Sequence, residues 1–165
     1  MKLNKISYCR QTISTVQTFF MAMACYPEVQ LKARAELDAI VGPNRLPTFE
    51  DRSSLPYITA IAKESMRWQS VVPLGIPHRS LEDDEYRGYF IPKGSAVIAN
   101  LYAFSRDESV YPEPETFNPE RFLKDGKIDP TVRDPNSFVF GYGRRYVYGY
   151  IACRAPTPPC RRADE

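Results

Sequence analysis

The chain has 165 residues, enough for one ordinary domain with its own hydrophobic core. Its composition, 43% apolar and 25% charged, is that of a folded globular protein and excludes an intrinsically disordered one. A formal net charge of +2 is too small to indicate a nucleic acid or an acidic membrane surface as partner. The four cysteines lie far apart without a Cys-x-x-Cys pair, which predicts free thiols rather than a zinc site or a disulfide framework: Cys9, Cys25, Cys153 and Cys160.

A first helix is predicted over residues 13–25, where apolar side chains recur every three or four positions. These side chains are Ile13, Val16, Phe19, Phe20, Met23 and Ala24. Polar residues interrupt the run, which lacks the about 20 consecutive apolar residues that cross a bilayer, so we interpret it as a buried helix of a globular fold. Residues 1–10 carry lysines with no apolar core behind them and do not resemble a signal peptide.

Two more helices are predicted before residue 70. Pro27 opens the second, because the first helical position needs no amide hydrogen, and Gly42-Pro43 ends it. Its apolar stripe is Val29, Ala33, Leu37, Ile40 and Val41. The third begins at Leu55-Pro56 and ends near Trp68, with Ser53 or Ser54 as its cap. The inward face of the third helix is predicted to be Ile58, Ile61, Ala62, Ser65 and Trp68.

Strands and loops are predicted for the second half. Short apolar segments at residues 76–80, around Gly88 and at residues 96–99 predict a small antiparallel sheet between about Ile76 and Asn100. An acidic turn at residues 82–85 and a Pro92-Lys93-Gly94 turn separate these strands. A helical turn is expected at residues 100–106 and mainly loop at residues 107–134. The fold class is therefore mainly α with a small antiparallel β-sheet.

A glycine-rich loop near the end of the chain reads Phe138-Val139-Phe140-Gly141-Tyr142-Gly143-Arg144-Arg145-Tyr146-Val147-Tyr148-Gly149. Three glycines allow backbone conformations that a side chain would forbid, and the two arginines make the loop suitable for an anion. Three motifs precede it in the chain, namely Glu64-x-x-Arg67, Pro77-His78-Arg79 and Phe117-Asn118-Pro119-Glu120-Arg121-Phe122. Glu64 and Arg67 are three residues apart on the predicted third helix, and so they share a face and can pair.

The order and spacing of these four motifs resemble the cytochrome P450 family of haem-thiolate monooxygenases. The resemblance implies the carboxy-terminal portion of that fold, a haem cofactor, a small organic substrate, molecular oxygen and an electron-donating reductase. It also implies a buried charge network of Glu64, Arg67 and Arg121, in which charge-assisted hydrogen bonds fix the haem-side loop. The residues that it assigns to haem contact are His78, Arg79, Phe140, Gly143, Arg145 and Gly149.

Three departures from the family pattern predict an inactive chain, and the first is that the match covers only part of the family fold and lacks much of the substrate pocket. The other two concern single site residues. Val147 stands where the family has the cysteine that binds the haem iron, and valine has no lone pair to donate. Cys153 lies six residues further on and is a poor substitute. Arg10 and Gln11, followed by Thr12, stand where the family has the acid-Thr pair that activates oxygen. The sequence therefore predicts neither an intact catalytic pair nor an iron ligand.

The resemblance ends near residue 149. We expect residues 1–149 to form a partial cytochrome P450-like domain and residues 150–165 to be a disordered tail, as in a truncated or misread gene product. Eukaryotic members of the family are anchored to the endoplasmic reticulum by an amino-terminal helix, and the sequence predicts no such anchor or membrane span in this chain.

Two other functional classes are consistent with parts of the sequence. A haem-free interaction or scaffold fragment would expose apolar faces on the helices that carry Ile13 and Val29. An RNA-binding surface would explain aromatic residues interleaved with glycine and arginine at residues 138–150. The residue order does not fit the RNA-recognition signature, and neither the net charge nor the three preceding helices favour that fold.

Overall fold

A computed structural model describes the backbone of residues 5–142 and the side chains of residues 12–142. Its helices are α1 (Lys5–Cys25), α2 (Pro27–Ile40), α3 (Pro56–Trp68), α4 (Leu101–Ser105) and α5 (Asn136–Val139), and 3₁₀ helices span Glu50–Ser54 and Pro119–Phe122. The predicted second and third helices are confirmed within one or two residues, whereas α1 begins earlier than predicted. Proline opens α2 and α3, and Gly42, with φ +74°, follows the end of α2.

Within the described residues the strands form three separate antiparallel pairs. Two of them lie between residues 76 and 100, where the sequence predicts one small antiparallel sheet, and the third lies beyond that region. They are β1 (His78–Arg79) with β4 (Ala96–Val97), β2 (Asp84–Tyr86) with β3 (Tyr89–Ile91), and β5 (Leu123–Lys124) with β6 (Lys127–Ile128). The predicted acidic turn at residues 82–85 is wrong in part, because Asp84 and Glu85 pair in β2. Gly88 lies not within a strand but in the turn between β2 and β3, and its φ of +83° explains why glycine stands there.

The helix α3 lies between two hydrophobic clusters and is the central element of the described fold. Ile61 belongs to a cluster with residues of α1, α2 and the loop at Phe117. Ala60 belongs to a second cluster with Leu101, Tyr111, Phe122 and Phe138. Both sides of α3 are therefore covered by parts of the chain that are distant in sequence.

Two burial predictions are wrong. Of the six apolar side chains predicted to form the inward face of the first helix, Met23 is buried and the other five are exposed: Ile13, Val16, Phe19, Phe20 and Ala24. The reason is that α1 packs on the rest of the described chain through Thr18, Ala22 and Met23. On α3, Ala62 is exposed, whereas Ile61 and Ser65 are buried as predicted. No helix in the described part of the chain is long and apolar enough to cross a membrane.

The predicted caps of α3 are also wrong. Ser53 and Ser54 lie in the preceding 3₁₀ helix, and Leu55, which has no side-chain acceptor, occupies the cap position. The carboxylate of Glu36 on α2 replaces the missing cap by accepting the backbone N–H groups of Tyr57 and Ile58, both at 2.9 Å. These amides belong to the first turn of α3, where helical N–H groups have no partner within the helix.

Candidate functional site

A carboxylate and a guanidinium are fully buried on α3. Glu64 and Arg67 both have 0% exposed side chains and lie one helical turn apart. Arg67 donates through Nε to Glu64 Oε2 and through Nη2 to Glu64 Oε1, each at 2.7 Å. Two parallel charge-assisted hydrogen bonds hold this pair in one geometry.

A second arginine reaches the same carboxylate from the 3₁₀ helix at Pro119–Phe122. Arg121, whose side chain is 7% exposed, donates through Nε to Glu64 Oε1 at 3.2 Å. The backbone N–H of Asn118 donates to the same oxygen at 2.9 Å. The structure therefore brings together Glu64, Arg67 and Arg121, the three residues that the sequence groups in one network.

Backbone carbonyl groups complete this network. One carboxylate between two guanidinium groups leaves a net positive charge, which is costly in a buried site unless other acceptors surround it. Arg67 Nη1 donates to the carbonyl oxygen of Ser105 at 2.8 Å, and Arg121 Nη1 donates to that of Pro112 at 2.7 Å. The remaining N–H groups of the two arginines are therefore directed at the partial negative charge of the main chain.

The aromatic ring of Tyr111 packs against the network. Its ring lies 5.4 Å from the guanidinium carbon of Arg67, within the range of a cation–π contact. The hydroxyl of Tyr111 donates to the carbonyl oxygen of Arg133 at 2.7 Å. Burial raises the pKa of Tyr111 to about 12, although the nearby Arg133 and Arg67 act in the opposite direction. This tyrosine is therefore neutral throughout the ordinary pH range, and nothing in the sequence pattern indicated its role.

An open cleft of about 550 Å³ lies on another side of α3. Met66 lines it, although its neighbour Arg67 faces the charge network. The walls are mainly apolar and come from the segment after α3, from β4, from the start of α4 and from the end of α5: Val72, Ile76, Val97, Ala99, Leu101 and Val139. The charged or titratable side chains of the lining are His78 and Arg79 of β1, Asp84 and Tyr142.

The family model for cytochrome P450 matches residues 10–147. This chain belongs to the cytochrome P450 family. It is 55% identical over 140 residues to cytochrome P450 monooxygenase COX2 of Coprinopsis cinerea, covering 84% of this chain and 27% of that protein. It is 54% identical over 153 residues to an O-methylsterigmatocystin oxidoreductase of Aspergillus flavus, covering 87% of this chain and 29% of that protein.

A third relative has a different named activity. Tryptamine 4-monooxygenase of Psilocybe cyanescens is 53% identical over 140 residues, covering 84% of this chain and 28% of that protein. The chain thus spans less than a third of the length of these curated relatives. The family assignment and the partial, mainly α-helical fold predicted from the sequence are both confirmed.

The remaining predicted site residues of this cytochrome P450 chain fall into two groups. His78, Arg79 and Phe140 line the cleft, with His78 and Arg79 exposed and Phe140 half-buried. For Arg10 and Gln11 the backbone belongs to α1, but their side chains are not described. The remaining predicted positions lie wholly outside the described residues: Gly143, Arg145, Val147, Gly149, Cys153 and the tail at residues 150–165.

The cytochrome P450 family implies a haem cofactor, and the cleft fits the organic part of a haem. Its apolar walls suit a porphyrin, and the guanidinium of Arg79 suits a haem carboxylate. Thr15 of α1 also lines this cleft and was missed from the sequence, because hydrophobic periodicity does not distinguish a polar position on a helix. Among the described residues, no cluster of three or more histidine, cysteine or acidic side chains is placed to hold a metal ion.

Proposed function

We propose that this chain forms the haem-facing carboxy-terminal part of a cytochrome P450 monooxygenase. Such an enzyme inserts one oxygen atom of O₂ into a small organic substrate, with electrons supplied by a reductase. The observation that carries the proposal is the buried network of Glu64, Arg67 and Arg121. Glu64 and Arg67 lie on the same helix, α3, whose Met66 lines the apolar cleft. One rigid helix thereby links the charge network to the proposed cofactor surface.

In this proposal the residues of the chain bind and orient the cofactor. Arg79 holds a haem carboxylate at the edge of the cleft, with His78 beside it, and Phe140 packs against the ring. The resemblance to the family assigns a second carboxylate to Arg145 and close backbone approach to Gly143 and Gly149, all of which lie outside the described residues. When it is bound, the haem supplies the oxygen chemistry of the class. The network around Glu64 fixes the segment that contains Arg121, so that it is rigid before the cofactor enters.

We further propose that the chain as written does not carry out oxygen insertion. Val147 occupies the position of the thiolate ligand, and without a thiolate the iron loses the electron donation that favours cleavage of the oxygen–oxygen bond. Arg10 and Gln11 occupy the position of the acid-Thr pair and provide neither the acid nor the hydroxyl of that pair for proton delivery.

The spectrum of the ferrous carbon-monoxide complex tests this proposal. The full chain is titrated with ferric protoporphyrin IX, reduced and exposed to carbon monoxide, and Val147→Cys serves as the matched variant. We expect the parent chain to lack the red-shifted band of thiolate-ligated iron and the cysteine variant to gain it. A red-shifted band in the parent chain would overturn the proposal, and its loss in Cys153→Ser would then identify the ligand.

One observation favours a second function, a haem-free interaction fragment. Phe20 of α1 is 66% exposed, and Ile13 and Leu31 are also exposed, which matches the apolar surface expected of such a fragment, although Val29 is buried. A hydrophobic dye distinguishes the two functions. Strong dye binding that falls in Phe20→Ser supports an interaction surface, whereas a monomer that binds no dye argues against it.

A further inference from the structure

The segment at residues 112–116 presents five consecutive carbonyl oxygens to side-chain donors. Arg121 donates to the carbonyls of Pro112 at 2.7 Å and of Glu113 at 3.2 Å. Arg121 and Arg67 both donate to the carbonyl of Thr116, at 3.2 and 3.4 Å. The first two and the last of the five oxygens are therefore bound by the two arginines of the Glu64 network.

The two middle carbonyls have different partners. Arg106 donates through Nη1 to the carbonyl of Pro114, and the indole Nε1 of Trp68 donates to the carbonyl of Glu115 at 2.7 Å. Arg106 also donates through Nη2 to the carbonyl of Trp68 at 2.8 Å. Its guanidinium therefore connects the last residue of α3 to the middle of the segment, and Trp68 makes a second connection beside it.

The environment of Arg106 is suited to this bridge. Its side chain is only 13% exposed, and its guanidinium carbon lies 5.3 Å from the ring centre of Tyr102. A planar guanidinium directs its two terminal nitrogens to separate acceptors while its face rests on an aromatic ring, which a lysine ammonium does not reproduce. The ion pair with Glu115, at 3.5 Å, contributes little because that carboxylate is 74% exposed.

We infer that Arg106 is a positioning residue for the Glu64 network. By holding Pro114 against the end of α3, it fixes the segment whose continuation places the Asn118 amide and Arg121 on Glu64 Oε1. If the middle of the segment were free, Pro112, Glu113 and Thr116 could separate from Arg121, and the shared carboxylate oxygen would lose two of its three donors.

Hydrogen exchange of single amides, measured by NMR on the full chain, tests the inference. The Asn118 amide reports on the network because it donates to Glu64, and the Thr59 amide, bonded to Leu55 at 3.1 Å, reports on α3 alone. Arg106→Gln is expected to increase the exchange rate of the Asn118 amide about tenfold, because losing one hydrogen bond to a charged group destabilises the closed state by about that factor. The exchange rate of the Thr59 amide is expected to stay unchanged. Arg106→Lys is expected to show a smaller increase.

The matched control is Arg87→Gln. Arg87 also stacks on a tyrosine, with 5.3 Å from its guanidinium carbon to the ring centre of Tyr86, but it lies in the exposed β2–β3 hairpin. Equal exchange at Asn118 in the Arg106 and Arg87 variants would overturn the inference, and so would equal acceleration at Asn118 and Thr59. If Arg106→Gln fails to fold, the ratio of Asn118 to Thr59 exchange in Arg106→Lys decides: a raised ratio supports the inference, and an unchanged one refutes it.

Discussion

Two carboxylates in different regions of the chain bind nearly the same set of donors. Asp51, in the 3₁₀ helix before α3, accepts hydrogen bonds from Nη1 and Nη2 of Arg45 at 2.6 and 2.8 Å and from the backbone N–H of Thr48 at 2.8 Å. Glu64 accepts two N–H groups of Arg67 and the backbone N–H of Asn118. Each carboxylate thus holds a bidentate guanidinium and an amide, and only Glu64 has a second arginine.

The two regions differ in sequence separation and in burial. The partners of Asp51 lie three and six residues away, so this segment can form its contacts locally. The side chain of Asp51 is 15% exposed and that of its partner Arg45 is 46% exposed. Asn118 and Arg121 lie 54 and 57 residues from Glu64, whose side chain has no exposed surface. Similar hydrogen bonds therefore organise a local turn in one region and the tertiary fold in the other.

The largest expected effect comes from Glu64→Gln. The substitution retains the shape but removes the charge, so that two arginines lose the anion they share in a buried site. We expect a loss of about 3–5 kcal/mol in the free energy of unfolding, the range for breaking a buried ion pair. Urea unfolding followed by circular dichroism measures this difference.

Asp51→Asn is the control for Glu64→Gln, because it removes a charge from an otherwise similar donor set whose carboxylate and guanidinium are both in contact with water. It is expected to shift the urea midpoint much less, since water replaces the lost contacts. Equal shifts in the two variants would contradict the distinction between the regions and would show that burial of Glu64 does not determine its energetic role.

The sequence predicted well the features that depend on short spacing. Proline at the start of α2 and α3 and a glycine after α2 located these helices, and the spacing of Glu64 and Arg67 placed both on one face. The grouping of Arg121 with them came from resemblance to cytochrome P450 proteins. No local pattern indicates that Arg121 donates to the carboxylate of Glu64, which lies 57 residues earlier in the chain.

Long-range contacts explain most of the wrong predictions. The serines near residue 54 were predicted to cap α3, but Glu36 reaches its first turn from α2, a contact that only the tertiary fold creates. One missed element had a local signal: Asp125-Gly126, with φ values of +51° and +72°, is the turn of the β5–β6 hairpin. The density of prolines and charges around it led to a loop assignment.

An intermediate effect is expected for Glu36→Gln, because Glu36 is a partly buried carboxylate that joins two helices. The glutamine removes the charge near the amino end of α3 and one of two acceptor oxygens, so that the free energy of unfolding should fall by about 1 kcal/mol. Glu28→Gln, in the exposed first turn of α2, is the matched control and is expected to have a smaller effect. Thermal unfolding of both variants provides the comparison, and equal losses would refute a specific role of the Glu36 cap.

The smallest effect on the free energy of unfolding is expected from protonation of Asp51. The Arg45 guanidinium, and next the Thr48 amide, hold the pKa of this carboxyl well below its usual range. Because the folded-state pKa is depressed, the stabilisation is present above the unfolded pKa of about 4 and is lost only as the pH falls through the folded-state pKa.

NMR titration of the Asp51 carboxyl carbon should therefore show a constant chemical shift down to about pH 4, with the midpoint below that. Arg45→Gln should move the midpoint up towards about 4, since it removes the main cause. A midpoint near 4 in the parent chain would mean that the exposed pair does not form in solution, and the similarity between the two carboxylates would then be limited to geometry.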